Sequence, residues 1–371
     1  MKVEYSYLKQ QFADIEPYLA EIRALVKTGD FTLGRALTDF EERFADLIGV
    51  PYAIGVGTGT DALILSLQIH KIGPGDEVIT SPNTFVATVG AIAMVGARPV
   101  FVDNNEEFTI DVNKIEEAIT PRTKAIIPVH LTGCPANMPE IMEIAKRHNL
   151  LVIEDAAQAI LAAIDHQCVG SWGIATGFSL HPLKNLNIWG DGGVIVTRSK
   201  ELRDKLRLFR NHGLETRNEI AFWGYNCRLD TLQAVVANRL LNQVHDITEQ
   251  RIANAKRYDT SLAALSNFIK TPPRRANFKQ VYHTYVLRAK DRNNLYHYLL
   301  KSGIEAKIHY PIPMHLQKAA ASLGYKKGDF PVCEADCEEI ITLPVHQHLT
   351  TDQLDYVVDT IHKFYKQVSN Q

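Results

Sequence analysis

Residues 178–197 read FSLHPLKNLNIWGDGGVIVT. The stretch opens and closes on apolar, strand-like runs, and only segment 182–192, with a glycine turn at Gly190–Gly193, separates them. Parallel neighbours need a longer connection, usually a helix, so the second run is predicted to return antiparallel to the first. One lysine, Lys184, stands in the connection, and the nearest chargeable residues are His181 and Asp191. Surface lysines usually sit among other charges. Lys184 is therefore either a solvated loop residue or an amine set apart for chemistry, and the rest of the chain decides between the two.

Upstream, short apolar runs alternate with helical segments from about residue 52 to 200. YAIGVG, DEVITSP, RPVFVD, KAIIPVH, LLVIED, TGFSLH and GVIVT are the strand candidates. TDALILSLQIH and MPEIMEIAKRHN lie between strands, with apolar residues three and four apart. This rhythm predicts an α/β fold, a mostly parallel seven-stranded sheet between helices. Strands this apolar fit a sheet buried on both faces. Ligands on such sheets gather at the carboxyl ends of the strands.

Downstream the texture changes. Residues 1–225, including an N-terminal helical segment, are predicted to form a large α/β domain. Segment 226–265 reads as one long connecting helix and 266–371 as a smaller C-terminal α+β domain entered through the connector TPPRRANF. No internal repeat is present.

The 371 residues are 46% apolar and 22% charged, with a formal net charge of −2. These are globular proportions, without the basic excess of a nucleic-acid binder. No apolar run suits a membrane span, and the start MKVEYSYLKQQ is not an apolar secretory segment. Five cysteines, an odd number, read as free thiols in a reducing cytosol. A cytoplasmic protein without membrane partners is expected. Cys333 and Cys337 lack a second pair at zinc-ligand spacing, so no metal site is expected.

Four polar clusters follow the predicted strands. In GVGTGTDAL, residues 55–63, glycines precede a helix, leaving either a tight turn or a nest of N–H groups for a phosphate around Gly59 and Thr60. As a dinucleotide fingerprint it fails, because Thr60 stands where the third glycine belongs. Asp155, ending LLVIED, is either a helix cap or the partner of a buried cation. Ser179 and Lys184 follow the next strand, and Phe85 in SPNTFVAT offers either a core ring or a flat face. Together they describe a planar, cationic, phosphorylated ring carrying an aldehyde, which is pyridoxal phosphate. Lysine is the residue required, since only a primary amine condenses reversibly with an aldehyde.

With these pieces in place the chain resembles the DegT/StrS-type, fold type I, pyridoxal-phosphate-dependent sugar aminotransferases. The resemblance runs from GDFTLGRALTDFEERFADLIGV through GTGTDAL, GDEVITSPNTFVAT, VIEDAAQA, FSLHPLKNL and GYNCRLDTLQA to HYPIPMHLQ. It implies that Lys184 holds the aldehyde and shuttles protons, that Asp155 meets the ring nitrogen and Gln158 the ring hydroxyl. It implies stacking by Phe85 and phosphate binding by Gly59, Thr60 and Ser179. Asn226, in GYNCR, resembles a residue contributed to the neighbouring subunit's phosphate, which implies a homodimer.

The implied reaction moves an amino group from glutamate or glutamine to a keto-sugar, carried on a nucleotide, for amino-sugar and polysaccharide biosynthesis. His309, Tyr310 and His315 in HYPIPMH are candidates for the substrate side, or parts of a stiff connector. Family members with histidine in place of the lysine are dehydratases, and a catalytically silent cofactor-binding regulator is the rival from another class. Two positions depart from the family pattern: Cys134, where many relatives carry glutamine, and Trp189, where small residues are usual.

Overall fold

The computed structural model describes residues 1–369. Its main sheet contains β1 (Tyr52–Val56), β2 (Glu77–Thr80), β3 (Arg98–Phe101), β4 (Thr123–Ile126), β5 (Leu151–Asp155), β6 (Ala175–Ser179) and β7 (Gly193–Thr197). The strands lie in the order β1-β7-β6-β5-β4-β2-β3. β2 to β6 pair in parallel, and β7 runs antiparallel to both β6 and β1. The short 180–192 connection thus acts as the sequence requires, with Ser179 opposite Gly193. All seven expected strands are present.

Consecutive residues on these strands feed opposite cores. Val78, Ala125 and Ile153 pack with Leu63, Leu67 and Ile92 on one face. Their neighbours Ile79, Ile126 and Val152 pack with Met138, Ile141 and Ile144 on the other. Full burial of such a side chain stabilises by about 1.5–3 kcal/mol, so a strand apolar at every position is held from both sides. The same register brings Val56, Gly193 and Ser179 abreast at one end of the sheet, with Asp155 beside Gly177. The polar residues singled out in the sequence, Asp155 and Ser179, lie at that end.

The C-terminal body is an antiparallel sheet of β8 (Ile269–Lys270), β9 (Tyr285–Ala289) and β10 (Ile340–Leu343). It is backed by helices Arg292–Lys301 and Thr351–Ser369. Tyr258, Tyr285, Leu295, Ile341 and Ile361 form its core.

Two expectations need correction. The connecting segment is not one helix but two, Thr231–Leu241 and Val244–Leu262. At the break, Asn242 and Gln243 donate to the carbonyls of Arg239 and Leu240 at 3.3 and 2.9 Å, a tightened last turn. The first helix buries Ala234, Ala237 and Leu240 in the main core, whereas the second buries Tyr258 and Leu262 in the C-terminal core. The break lets the two halves face different cores. The N-terminus also crosses over: Val3 is wholly buried in the C-terminal core and bridges Ile304.

Candidate active site

A cavity of about 270 Å³ opens at the carboxyl ends of β5 and β6. Asp155, the last residue of β5, enters it from a buried position. Its Oδ2 accepts from the Thr88 hydroxyl at 2.7 Å and its Oδ1 from Ala157 N–H at 3.1 Å. Thr88 is itself paired with Thr84 at 2.7 Å. Both threonines belong to the SPNTFVAT stretch, four residues apart on the turn that enters helix Val86–Met94.

Lys184 lies in the loop after β6 and lines the same cavity. Its amine makes no hydrogen bond or ion pair among the described residues. Loss of water around it lowers its pKa from 10.5 to about 8, against the opposing pull of the Asp155 carboxylate. Burial of a cation without a close anion has this effect. The isolation of this lysine in sequence therefore reflects a desolvated amine in space.

Gly59 and Thr60 open helix Gly59–Ile69 at the cavity wall. The Thr58 side chain caps the N–H of Asp61 at 2.8 Å, leaving the N–H groups of Gly59 and Thr60 without a partner among the described residues. A Cβ on Gly59 would stand 2.8 Å from the Cβ of Ser179, so only glycine lets this helix end approach β6. Phe85 is about half exposed, at the cavity rim, with its ring 6.1 Å from that of Tyr310. Gln158 accepts from the N–H of Thr132 at 2.7 Å. Burial pushes the Tyr310 hydroxyl up to about 12, opposed by its hydrogen bond with Gln158.

His309 and Tyr310 line the cavity as expected, but His315 does not. His315 is buried behind it, with Nε2 3.0 Å from Glu334 and its ring edge-on to Phe330 at 4.7 Å. The turn Met314–Leu316 points the residue into an apolar cluster around Phe101 rather than into the cavity. Asn226 is exposed and lies outside this cavity, in a second recess with Asp61 and Arg228. Cys134 and Trp189 also lie away from the cavity lining. Cys134 is buried beside Arg274 and Tyr282 in another recess. Trp189 packs on Phe12 and Tyr18.

The sequence reading missed a group of wall residues. Tyr5, His181 and His283 line the cavity together with His309. Burial lowers the pKa of all three histidines, and the nearby Lys184 lowers them further, His309 to about 4 and His283 well below its ordinary value. These three histidines are thus uncharged near neutral pH. His181 stood three residues from Lys184 in the decisive stretch, a signal that was available. Tyr5 and His283 lie far from Lys184 along the chain, and nothing local marks them.

The chain as a whole is similar to known proteins. A family model, the DegT/DnrJ/EryC1/StrS aminotransferase family, matches residues 13–362. A "pleiotropic regulatory protein" of Geobacillus stearothermophilus is 41% identical, over 99% of each chain. The UDP-N-acetyl-3-dehydro-α-D-glucosamine 3-aminotransferase of Acidithiobacillus ferrooxidans is 40% identical, over 96% of each. The crystal structure of NtdA from Bacillus subtilis, with its cofactor PMP bound, superposes with a TM-score of 0.92 at 32% identity, covering 98% of this chain and 85% of that one. The match spans both bodies and every strand of the sheet, and the chain belongs to the DegT/DnrJ/EryC1/StrS aminotransferase family.

Proposed function

We propose that the protein uses pyridoxal phosphate to move an amino group from glutamate, or glutamine, to a nucleotide-linked keto-sugar, working as a cytoplasmic homodimer. The observation that carries this reading is one desolvated amine, Lys184, sharing a cavity with one buried carboxylate, Asp155. The cavity residues fit the cofactor by their chemistry. Asp155 suits a protonated ring nitrogen, and the free N–H groups of Gly59 and Thr60, with the Ser179 hydroxyl, suit a phosphate. Phe85 offers a face, and Gln158, whose oxygen is already engaged, offers its amide N–H₂ to a ring hydroxyl. When bound, pyridoxal phosphate supplies an electron-withdrawing ring that lets a proton leave the amino-acid carbon.

The remaining work falls to the chain. An amine with a pKa near 8 is close to the operating pH, where a group exchanges protons most effectively. Lys184 is the group that takes and returns the proton. Thr88 and Ala157 fix the Asp155 carboxylate toward the cavity. The neutral histidine wall adds no cation to compete for that carboxylate. His309 and Tyr310 form the acceptor side.

The sugar acceptor is supported by relatives such as the Acidithiobacillus enzyme, whose name specifies a UDP-linked keto-sugar. The dimer is supported by Asn226, which lies outside its own cavity on a segment where Trp223 is 88% exposed. In a dimer Asn226 serves the neighbouring subunit's phosphate site. The five free cysteines fit a reducing compartment. Adding glutamate to the yellow protein is expected to bleach it, and a panel of keto-sugar nucleotides then identifies the acceptor that restores the colour. Persistent colour with glutamate favours the second reading, a silent cofactor-binding regulator, to which the name of the Geobacillus relative points.

A further inference from the structure

The loop that carries Lys184 has no regular structure between Pro182 and Asn187. Its shape rests on a few hydrogen bonds. Lys184 N–H donates to the His181 carbonyl at 2.8 Å, and Asn185 Nδ2 donates to the Val281 carbonyl at 3.1 Å. The Lys184 carbonyl receives a different partner. The hydroxyl of Tyr7 donates to it at 2.8 Å and approaches the Leu183 carbonyl at 3.2 Å. Among the described residues Tyr7 is the one donor to that carbonyl. A carbonyl partly withdrawn from water gains from such a donor, and this one comes from 177 residues away.

Tyr7 is itself held firmly. Its ring is buried, 5.3 Å from that of His346, with the Arg251 guanidinium 5.0 Å from its centre. Arg251 is pinned in turn by the carbonyls of Tyr282 and His283 at 3.2 Å each. On either side of Tyr7, the N-terminal segment is tied to the C-terminal body. Val3 exchanges hydrogen bonds with Gly303 and Glu305, both at 2.9 Å, and Tyr5 N–H donates to the Glu305 side chain at 3.0 Å. His346 lies 3.1 Å from the Glu4 carbonyl. Between these anchors, Tyr5 forms part of the cavity wall.

Taking Lys184 as the reacting amine, which rests on the function proposed above, we infer that Tyr7 is a positioning residue. Its hydroxyl fixes the main chain of Lys184 to an N-terminal strap and, through the strap, to the C-terminal body. The strap sets how deeply the lysine amine stands in the desolvated part of the cavity. A lysine side chain is long and flexible, so a fixed Cα is what limits its reach. The groups that face the amine are Asp155 from β5, His181 from its own loop, and His283 and His309 from the C-terminal segments.

The test is the titration of Lys184 in cofactor-free protein. Reductive methylation is followed against pH, and the peptide containing residue 184 is read by mass spectrometry. The wild-type midpoint is expected near 8. Tyr7→Phe removes only the hydroxyl and keeps the ring against Arg251 and His346. It is expected to raise the midpoint by about half a unit or more, as the slackened loop lets water reach the amine. With cofactor bound, kcat of the glutamate half-reaction falls while KM stays within about twofold, because glutamate binding does not use Tyr7.

A wild-type midpoint in Tyr7→Phe overturns the proposal, whether or not the melting temperature drops. If Tyr7→Phe does not fold, Glu305→Ala frees the Tyr5 anchor and is expected to move the midpoint the same way by less; no movement there overturns the proposal equally. The titration needs neither cofactor nor substrate, so it is readable even if the function proposed above is wrong.

Discussion

Two neighbouring carboxylates, Glu154 and Asp155, end the same strand and point to opposite faces of the sheet. Glu154 is completely buried and surrounded by donors. It accepts from the N–H groups of Gly170, Trp172 and Gly173 at 2.9–3.1 Å and from the Thr176 hydroxyl at 2.9 Å, with His130 Nε2 3.1 Å away. Burial alone would raise its pKa, but the His130 contact and the Gly173 and Gly170 N–H groups outweigh it and hold the carboxyl below its ordinary value. The acceptor capacity of Glu154 is used inside the protein. Asp155 has two protein donors and opens onto a cavity that also holds a desolvated amine. A carboxylate saturated by its own chain holds the fold, and one left partly unsaturated at a cavity wall keeps acceptor capacity free.

The largest expected effect sits across the cavity from Asp155. Lys184→Arg is expected to reduce the glutamate half-reaction by at least about 10³-fold, within the range for loss of a proton-transfer group. Stopped-flow absorbance of the cofactor measures it. Next, Glu154→Ala is expected to destabilise the protein by about 3–5 kcal/mol, because it strips the partner from several buried donors. Urea unfolding measures it.

Asp155→Asn is expected to do the opposite of Glu154→Ala. Activity falls by about 10²–10³-fold, the scale of removing one preorganised electrostatic partner, while the melting temperature is nearly unchanged. If Asp155→Asn unfolds the protein and Glu154→Ala merely slows it, the contrast between the two carboxylates is wrong. Thr88→Val, which removes one donor from Asp155, sharpens the comparison with a loss of about tenfold in activity, equivalent to about 1.4 kcal/mol.

A separate expected effect is on acid stability. His309 and His346 are held neutral by burial until about pH 4, whereas in the unfolded chain they take a proton near 6.5. The unfolded state therefore binds more protons in that window. Stability is expected to decline as the pH falls from 6.5 to 4, and Glu154 adds its own loss at lower pH as its depressed carboxyl protonates. Urea midpoints measured across this range check the sign.

The main sheet was legible because each strand carries a short apolar run between helical segments, and the direction of β7 followed from the shortness of segment 182–192. Lys184 and Asp155 were legible because each broke its local pattern, a lone cation in a loop and a carboxylate ending a buried strand. His315 was not. Six residues after His309 in one proline-rich run, nothing in its neighbours says that Met314–Leu316 turns it inward toward Phe101 and Phe330. The helix break at Asn242–Gln243 was hidden for a similar reason. Both halves are apolar at helical spacing, and only the tertiary structure reveals that they serve different cores. Tyr5, Tyr7 and His283 were hidden because their partners lie far away in the chain.

The most direct test is to reduce the protein with borohydride in the presence of pyridoxal phosphate, digest it and locate the adduct. The account expects a single label, on the peptide bearing residue 184, and none in a variant lacking that lysine. A label on another lysine, or no label at all, would contradict it.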